Sequence, residues 1–267
     1  MKYKLFVSDF DGTLGKAPGK IEPETVAAIK EYEKKGGIFA VCTGRMFSSI
    51  LPICREYGLK GLVISYQGAM INDAATGKTI FEGGMDYKLA AEVADFLIKF
   101  GVTALADIDD VMHLSCECPY TEFYEASCKV KGVHTPELVK YILEEKRTVL
   151  KVGGMGEIDK IRRATDEINA KYAGRLIANN GAPMLVEVVD RRYDKKFSVE
   201  YLAKYYNVPL SEVIAVGDST NDVELLSGEW HGVAVGDARE ELKRVAKEIT
   251  VPYADRPVEY LLRKYCL

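Results

Sequence analysis

Short runs of unbroken apolar residues, each followed by a helical stretch, open and close this chain. No other feature limits its fold so tightly. Lys4 to Ser8, Ile38 to Cys42 and Leu62 to Tyr66 are such runs. One helix between them opens at Glu22-Pro23, with Pro at a first-turn position, carries Val26, Ile29 and Tyr32 on one stripe, and stops at Gly36-Gly37. A second runs from Met46 to Tyr57 and ends at Gly58. Strands that are apolar throughout are buried on both faces, and helices must cover those faces, so the pattern predicts a parallel sheet. Strict alternation returns after Asp190. Helices are expected at Lys196–Tyr206, from Asp222 to Leu226 and at Ala238–Ala246, with strands at Val213–Val216, Gly232–Val235 and Glu248–Val251, and Val258 to Tyr265 closing the chain.

The pattern differs in between. Ala69 to Phe81 reads as a hairpin turning at Ala74-Ala75-Thr76-Gly77. Helices are expected at Asp86–Phe100, near Pro136–Glu145 and at Glu157–Tyr172, mixed with strands near Thr103–Ala106, Val111–Ser115, Thr148–Gly153, Leu176–Asn179 and Met184–Val189. That mixture suits an α+β domain inserted at 83–182 into an α/β core made of 1–82 and 183–267. A chain of 267 residues is long enough for one large core plus a smaller domain.

Composition narrows the partners. Hydrophobic residues are 48%, charged residues 28% and the net charge is −4. These values are ordinary for a globular chain, and nothing calls for a nucleic-acid or membrane partner. No stretch has the apolar length of a membrane span. The N-terminal run is too short for a signal-peptide core and reads as the first strand. The six cysteines, Cys42, Cys54, Cys116, Cys118, Cys128 and Cys266, have no framework spacing and read as reduced thiols of a cytoplasmic protein. Cys116-Glu117-Cys118 fits neither a zinc nor a redox spacing.

Three polar clusters each follow an apolar strand, at the sheet edge where open parallel sheets bind ligands. The first is Asp9-Phe10-Asp11-Gly12-Thr13. If the strand continues, its two carboxylates point the same way and repel unless a hard divalent cation shares them. Taken alone, the pair fits a turn cap equally well. The second is Thr43-Gly44-Arg45, whose hydroxyl, bare amide and guanidinium suit phosphate oxygens, although a polar loop with a solvated Arg45 accounts for it as simply. The third is Gly217-Asp218-Ser219-Thr220-Asn221-Asp222, which again offers carboxylates but also reads as an Asp-rich helix cap. Lys195 and Lys196, just before a helix, supply the fixed cation that a transferring phosphoryl group needs. His113, His134, and His231 beside Trp230 read as packing or solvated residues, and Tyr120, Phe123 and Tyr124 as core.

Together these segments resemble the haloacid dehalogenase-like (HAD) hydrolases. Asp9-Phe10-Asp11-Gly12-Thr13 matches their DxDGT signature, Thr43 their second motif and Gly217 to Asp222 their GDxxND motif. A lysine aligns with the third motif. Setting Leu202-Ala203 on the final Leu of the family's Lys-Gly-x-Ala-Leu-x-x-Leu pattern selects Lys195, and a one-residue shift selects Lys196. We take Lys195. Tyr66-Gln67-Gly68-Ala69 looks like the family's Asn-Gly-Ala segment with Gln for Asn. Asp237-Ala238 and Asp255-Arg256-Pro257-Val258 depart from its usual Asn-Ala and Asp-Gly-Val. The short loop before Pro23 and the long insertion after the third strand resemble the Cof-type subfamily.

The resemblance implies a Rossmann-like parallel-sheet core with an inserted α+β cap domain that closes over the site. It implies a phosphatase of small phosphorylated metabolites. Asp9 would attack phosphorus and form an aspartyl-phosphate, and Asp11 would serve as general acid and base. Mg²⁺ would be held by Asp9, Asp218 and the main-chain carbonyl of Asp11. Thr43, Gly44, Lys195 and Asn221 would bind the phosphate, while Asp222 would orient Lys195 or a water of the metal. A sugar phosphomutase on the same framework, or a non-catalytic phosphate-binding regulator, are the alternative readings. Sugar phosphates, flavin mononucleotide, pyridoxal phosphate and nucleotides all suit these motifs.

Overall fold

The chain alternates strand and helix at its start because its apolar runs are short and its helical stripes are one-sided. A computed structural model describes residues 1–16 and 19–267. Ala17 and Pro18, inside the Gly- and Pro-rich loop expected from Gly12 to Gly19, lie outside the described residues. The order begins β1 (Leu5–Asp9), α1 (Pro23–Lys34), β2 (Ile38–Cys42), α2 (Phe47–Tyr57), β3 (Leu62–Ser65), β4 (Met70–Asp73) and β5 (Thr79–Glu82). It continues α3 (Tyr87–Lys99), β6 (Thr103–Ile108), β7 (Val111–Leu114), α4 (Thr121–Cys128), β8 (Val133–His134), α5 (Leu138–Glu145), β9 (Lys151–Met155), α6 (Ile158–Lys171), β10 (Leu176–Ala182) and β11 (Leu185–Asp190). It ends α7 (Lys195–Tyr205), β12 (Val213–Gly217), α8 (Val223–Leu226), β13 (His231–Ala234), α9 (Glu240–Val245), β14 (Glu248–Ile249) and α10 (Pro257–Tyr265). No helix of the described residues is long and apolar enough to cross a membrane.

The chain divides into two compact units. One is Met1–Ile80 with Asp194–Leu267, and the other is Phe81–Tyr193. The second unit runs on past 182 because β11 pairs antiparallel with both β9 and β10.

In the first unit the sheet order is β14-β13-β12-β1-β2-β3-β4-β5. β14 through β3 are parallel, and β4 returns antiparallel to β3. All five residues of β1 are buried, which is why its sequence does not alternate. Gly58 caps α2 in the left-handed conformation, as a C-terminal glycine should. The chain winds one way from β1 through β2 to β3 and the other way from β12 through β13 to β14. In open parallel sheets such a reversal marks the ligand-binding edge, here at the carboxyl ends of β1 and β12.

In the second unit the order is β10-β11-β9-β6-β7-β8. One face is packed by Leu89, Val93 and Leu97 of α3, Ile142 of α5, and Ile161 and Ile168 of α6, against Ala104, Ala106, Val152, Val186 and Val188 of the strands. The pleat sends the alternate residues Asp107, Lys151 and Glu187 to the other face. α4 is an element that the sequence reading did not contain. Of its aromatics, Tyr124 is buried, whereas Phe123 is 61% exposed and is not core.

Candidate active site

Register decides which side chains meet. Ser8 lies opposite Val216, and Asp9 opposite Cys42. Neighbouring strands lie about 4.8 Å apart. The residues that end β1, follow β2 and follow β12 are therefore forced together, which brings Asp9, Thr43 and Asp218 to one edge.

Carboxylate oxygens of Asp9, Asp218 and Asp222 lie within 4.8 Å of one another. Lys195 ties the group together. Its Nζ donates to Asp9 Oδ1 at 2.7 Å and to Asp222 Oδ1 at 2.6 Å. Asp194 caps α7 by accepting from the Phe197 amide, so Lys195 is the first residue of the helix and points inward. Lys195 is 1% exposed, whereas Lys196 is exposed to solvent. Asp222 also accepts the amides of Asp218 and Ser219 on Oδ2, at 3.1 Å each, which folds the loop after β12 around it. Thr13 Oγ1 donates to Asp218 Oδ1 at 2.9 Å. Gly12 is needed here for two reasons. Its φ is +86°, and a Cβ would stand 2.6 Å from Asp218 Oδ2.

The electrostatics follow from burial. Desolvation raises Asp9 well above the ordinary carboxylate range, and Asp222 adds to this, against the pull of Lys195. Desolvation and then Asp222 push Asp218 up to about 6. Burial also opposes the charge on Lys195, but Asp222 and Asp9 more than offset it and hold the amine firmly cationic. Fully ionised, the three carboxylates against one ammonium would carry two uncompensated negative charges, which is the state that burial opposes. A hard divalent cation fits that charge and that donor set.

Asp11 stands apart. β1 ends at Asp9, so the two acids do not share a strand face as the sequence spacing suggested. The carboxylate of Asp11 is not in the three-acid group. Arg45 donates to it through Nε and Nη2, both at 2.7 Å. Arg45 is thus not the solvated residue expected of the loop. Its side chain is 14% exposed and its guanidinium lies 5.2 Å from the Phe10 ring centre. Such a fork fixes the plane of the Asp11 carboxylate. Thr43 is 2% exposed, and its Oγ1 accepts the Arg45 amide at 3.2 Å. Gly44 faces Gln67, whose Nε2 would collide with any Cβ there. Asn221 Nδ2 donates to Gln67 Oε1 at 3.3 Å. Neither Arg45 nor Gln67 was a predicted site residue, although the Thr43-Gly44-Arg45 cluster and the match of Tyr66-Gln67-Gly68-Ala69 to the family's Asn-Gly-Ala segment pointed to both.

The remaining singled-out residues serve packing. His113 Nδ1 lies 3.1 Å from Thr135 Oγ1, His231 pairs with Glu248 at 2.9 Å, and Trp230 is buried with its Nε1 donating to Leu225 O. All six cysteines are free thiols.

Known proteins resemble this chain over nearly its whole length. The profile of the haloacid dehalogenase-like hydrolases matches residues 6–262. Phosphatase YwpJ of Bacillus subtilis is 25% identical, over 97% of this chain and 99% of that one. The 5-amino-6-(5-phospho-D-ribitylamino)uracil phosphatase YitU of the same organism is 24% identical, over 98% and 97%. A crystal structure of a haloacid dehalogenase-like hydrolase from Bacteroides thetaiotaomicron superposes with a TM-score of 0.85 at 23% identity, covering 98% of this chain and 99% of that one.

Proposed function

Since the chain belongs to the haloacid dehalogenase-like hydrolases, we propose that it hydrolyses small phosphate monoesters by nucleophilic attack of Asp9. One observation carries the reading: the oxygens of Asp9, Asp218 and Asp222 cluster within 4.8 Å around a buried lysine, at the sheet's switch point.

Asp9 and Asp218, with the main-chain carbonyl of Asp11, would hold Mg²⁺. When bound, the ion would neutralise the charge of the acids and of the phosphoryl oxygens. Asp9 attacks phosphorus in line, the P–O bond to the leaving group breaks, and an aspartyl-phosphate forms. Asp11 serves as general acid once it leaves the Arg45 fork and takes up a proton from solvent: it gives that proton to the departing alkoxide and then takes one from the water that cleaves the acyl phosphate. Lys195 keeps Asp9 oriented and offsets charge on the phosphoryl oxygens. Thr43, Gly44 and Asn221 bind those oxygens from the other two loops. Asp222 touches no substrate. With both oxygens occupied by Lys195 and by loop amides, it sets where the lysine stands. We read Phe81–Tyr193 as the inserted cap. The Bacillus relative YitU is named for a phosphorylated ribitylaminouracil, so a phosphorylated polyol on a pyrimidine is one of the substrates to be tried.

The test is a panel of phosphorylated metabolites with magnesium, scored by release of inorganic phosphate. Wild type should turn over at least one of them. Asp9→Asn should lose at least about 10³-fold in kcat with its circular dichroism unchanged, because it removes the nucleophile itself. Near-normal turnover by Asp9→Asn, or an isomerised product without free phosphate, would overturn the reading.

A further inference from the structure

The turn after β3 is under backbone strain and touches the loop after β2, the loop after β12 and the start of α7. Tyr66 and Gln67 both have positive φ, +54° and +60°, and Gly68 follows at +128°. Two successive side-chain-bearing residues in the left-handed region are uncommon, and such strain persists only where the surroundings hold it in place. Here they do. The Tyr66 amide donates to Arg45 O at 3.0 Å, and the Gln67 amide to Thr43 O at 3.1 Å. Gly68 lies so close to Asp194 O, the residue before Lys195, that a Cβ has no room, and its own carbonyl accepts Ser198 Oγ at 3.4 Å. The strained backbone therefore rests on the Thr43 loop at one side and on the start of α7 at the other.

The side chain of Gln67 completes the set. Its Nε2 lies against the Cα of Gly44, and its Oε1 accepts from Asn221 Nδ2 at 3.3 Å. One half-buried carboxamide thus spans the gap between the loop after β2 and the loop after β12. The left-handed backbone aims it there. Those are the two loops that supply the phosphate ligands Thr43, Gly44 and Asn221 in the reading above.

We propose that Gln67 is a positioning residue of the phosphate site, a spacer whose carboxamide sets the separation of the Thr43–Gly44 loop from Asn221 and the direction in which the Asn221 amide points. The inference rests on the phosphatase reading. In this chain, where Gln stands for the Asn of the family's segment, the loops are spaced for the longer side chain, so length is the critical property. Asparagine is shorter by one methylene, about 1.5 Å, so its oxygen cannot reach Asn221 from the same backbone. Asparagine also tolerates the left-handed conformation better than glutamine. Gln67→Asn therefore separates function from stability, which a merely structural role would not do.

The experiment compares wild type, Gln67→Asn and Gln67→Ala, each with saturating magnesium. It measures KM and kcat for p-nitrophenyl phosphate, the inhibition constant of inorganic phosphate, and the melting temperature. We expect Gln67→Asn to melt at or above wild type while its KM and phosphate inhibition constant rise together by about 5- to 20-fold, with kcat within about threefold, the signature of lost uniform binding. Gln67→Ala should show the same loss of phosphate affinity. A Gln67→Asn protein with the phosphate affinity of wild type overturns the proposal, and so does one whose affinity and melting temperature fall together. A wild type that neither hydrolyses the ester nor binds phosphate overturns the phosphatase reading, and the role of Gln67 with it.

Discussion

Lys195 shows at the residue scale how much one side chain can decide. Its ammonium is shared by Asp9 and Asp222, two buried acids whose charge it offsets. Lys195→Met should lower kcat by about 10²- to 10³-fold, the usual cost of removing one charge-stabilising donor. In chelated protein it should also lower unfolding free energy by about 3–5 kcal/mol, because it leaves buried charge uncompensated. Steady-state kinetics and urea unfolding measure the two effects. Hydrolysis within tenfold of wild type would refute the role given to Lys195. Asp9, Asp218 and Lys195 were legible in the sequence because each lies at a strand end or a helix start that apolar patterning marks. For Arg45 and Gln67 the sequence marked the segments but not what their side chains meet. Their partners, Asp11 and Asn221, are far away in sequence, and only the loops' folding brings them near.

At the scale of elements, strand pairing creates a second buried charge cluster, in the second unit. Asp107 of β6 lies directly opposite Lys151 of β9, and Glu187 of β11 is on the same face. Lys151 Nζ lies 2.8 Å from Glu187 Oε1, 3.4 Å from Asp107 Oδ2 and 3.1 Å from Tyr124 OH. Burial raises Asp107 to about 6, even with Lys151 pulling it down. A carboxyl with a folded pKa above its unfolded value holds its proton more tightly when folded. Its contribution to stability is therefore present at low pH and is lost as pH rises from about 4 to about 6. Asp107→Asn cannot titrate, so its stability should fall less than that of wild type across that window, by up to about 3 kcal/mol at 1.36 kcal/mol per unit. Urea unfolding at pH 4.5 and pH 7 reads the difference, and equal slopes in the two proteins would refute it. None of this was visible in the sequence. The strands around Lys151 were expected, but which residues oppose one another depends on register, and α4, which brings Tyr124 to the cluster, lacks a long apolar stripe and went unrecognised.

For the whole molecule, the balance of charge at the site couples metal to stability. Magnesium should raise the melting temperature of chelated protein by several degrees, since a ligand at about 100 times its dissociation constant adds about 2.7 kcal/mol. Asp218→Asn should lose most of that rise, and a full rise in that variant would remove Asp218 from the metal site. Sequence alone determined the α/β class, the presence of an inserted α+β stretch and the order of the acid-bearing segments along the chain. It could do so because continuous apolar runs, helical stripes and turn residues are local consequences of burial. Tertiary structure decided which polar groups share a partner: Asp11 with Arg45, Asp222 with Lys195 and its own loop, and Gln67 with Asn221. Those pairings depend on strand order and register, which bring residues from distant parts of the chain within hydrogen-bond reach and leave no local trace in the sequence.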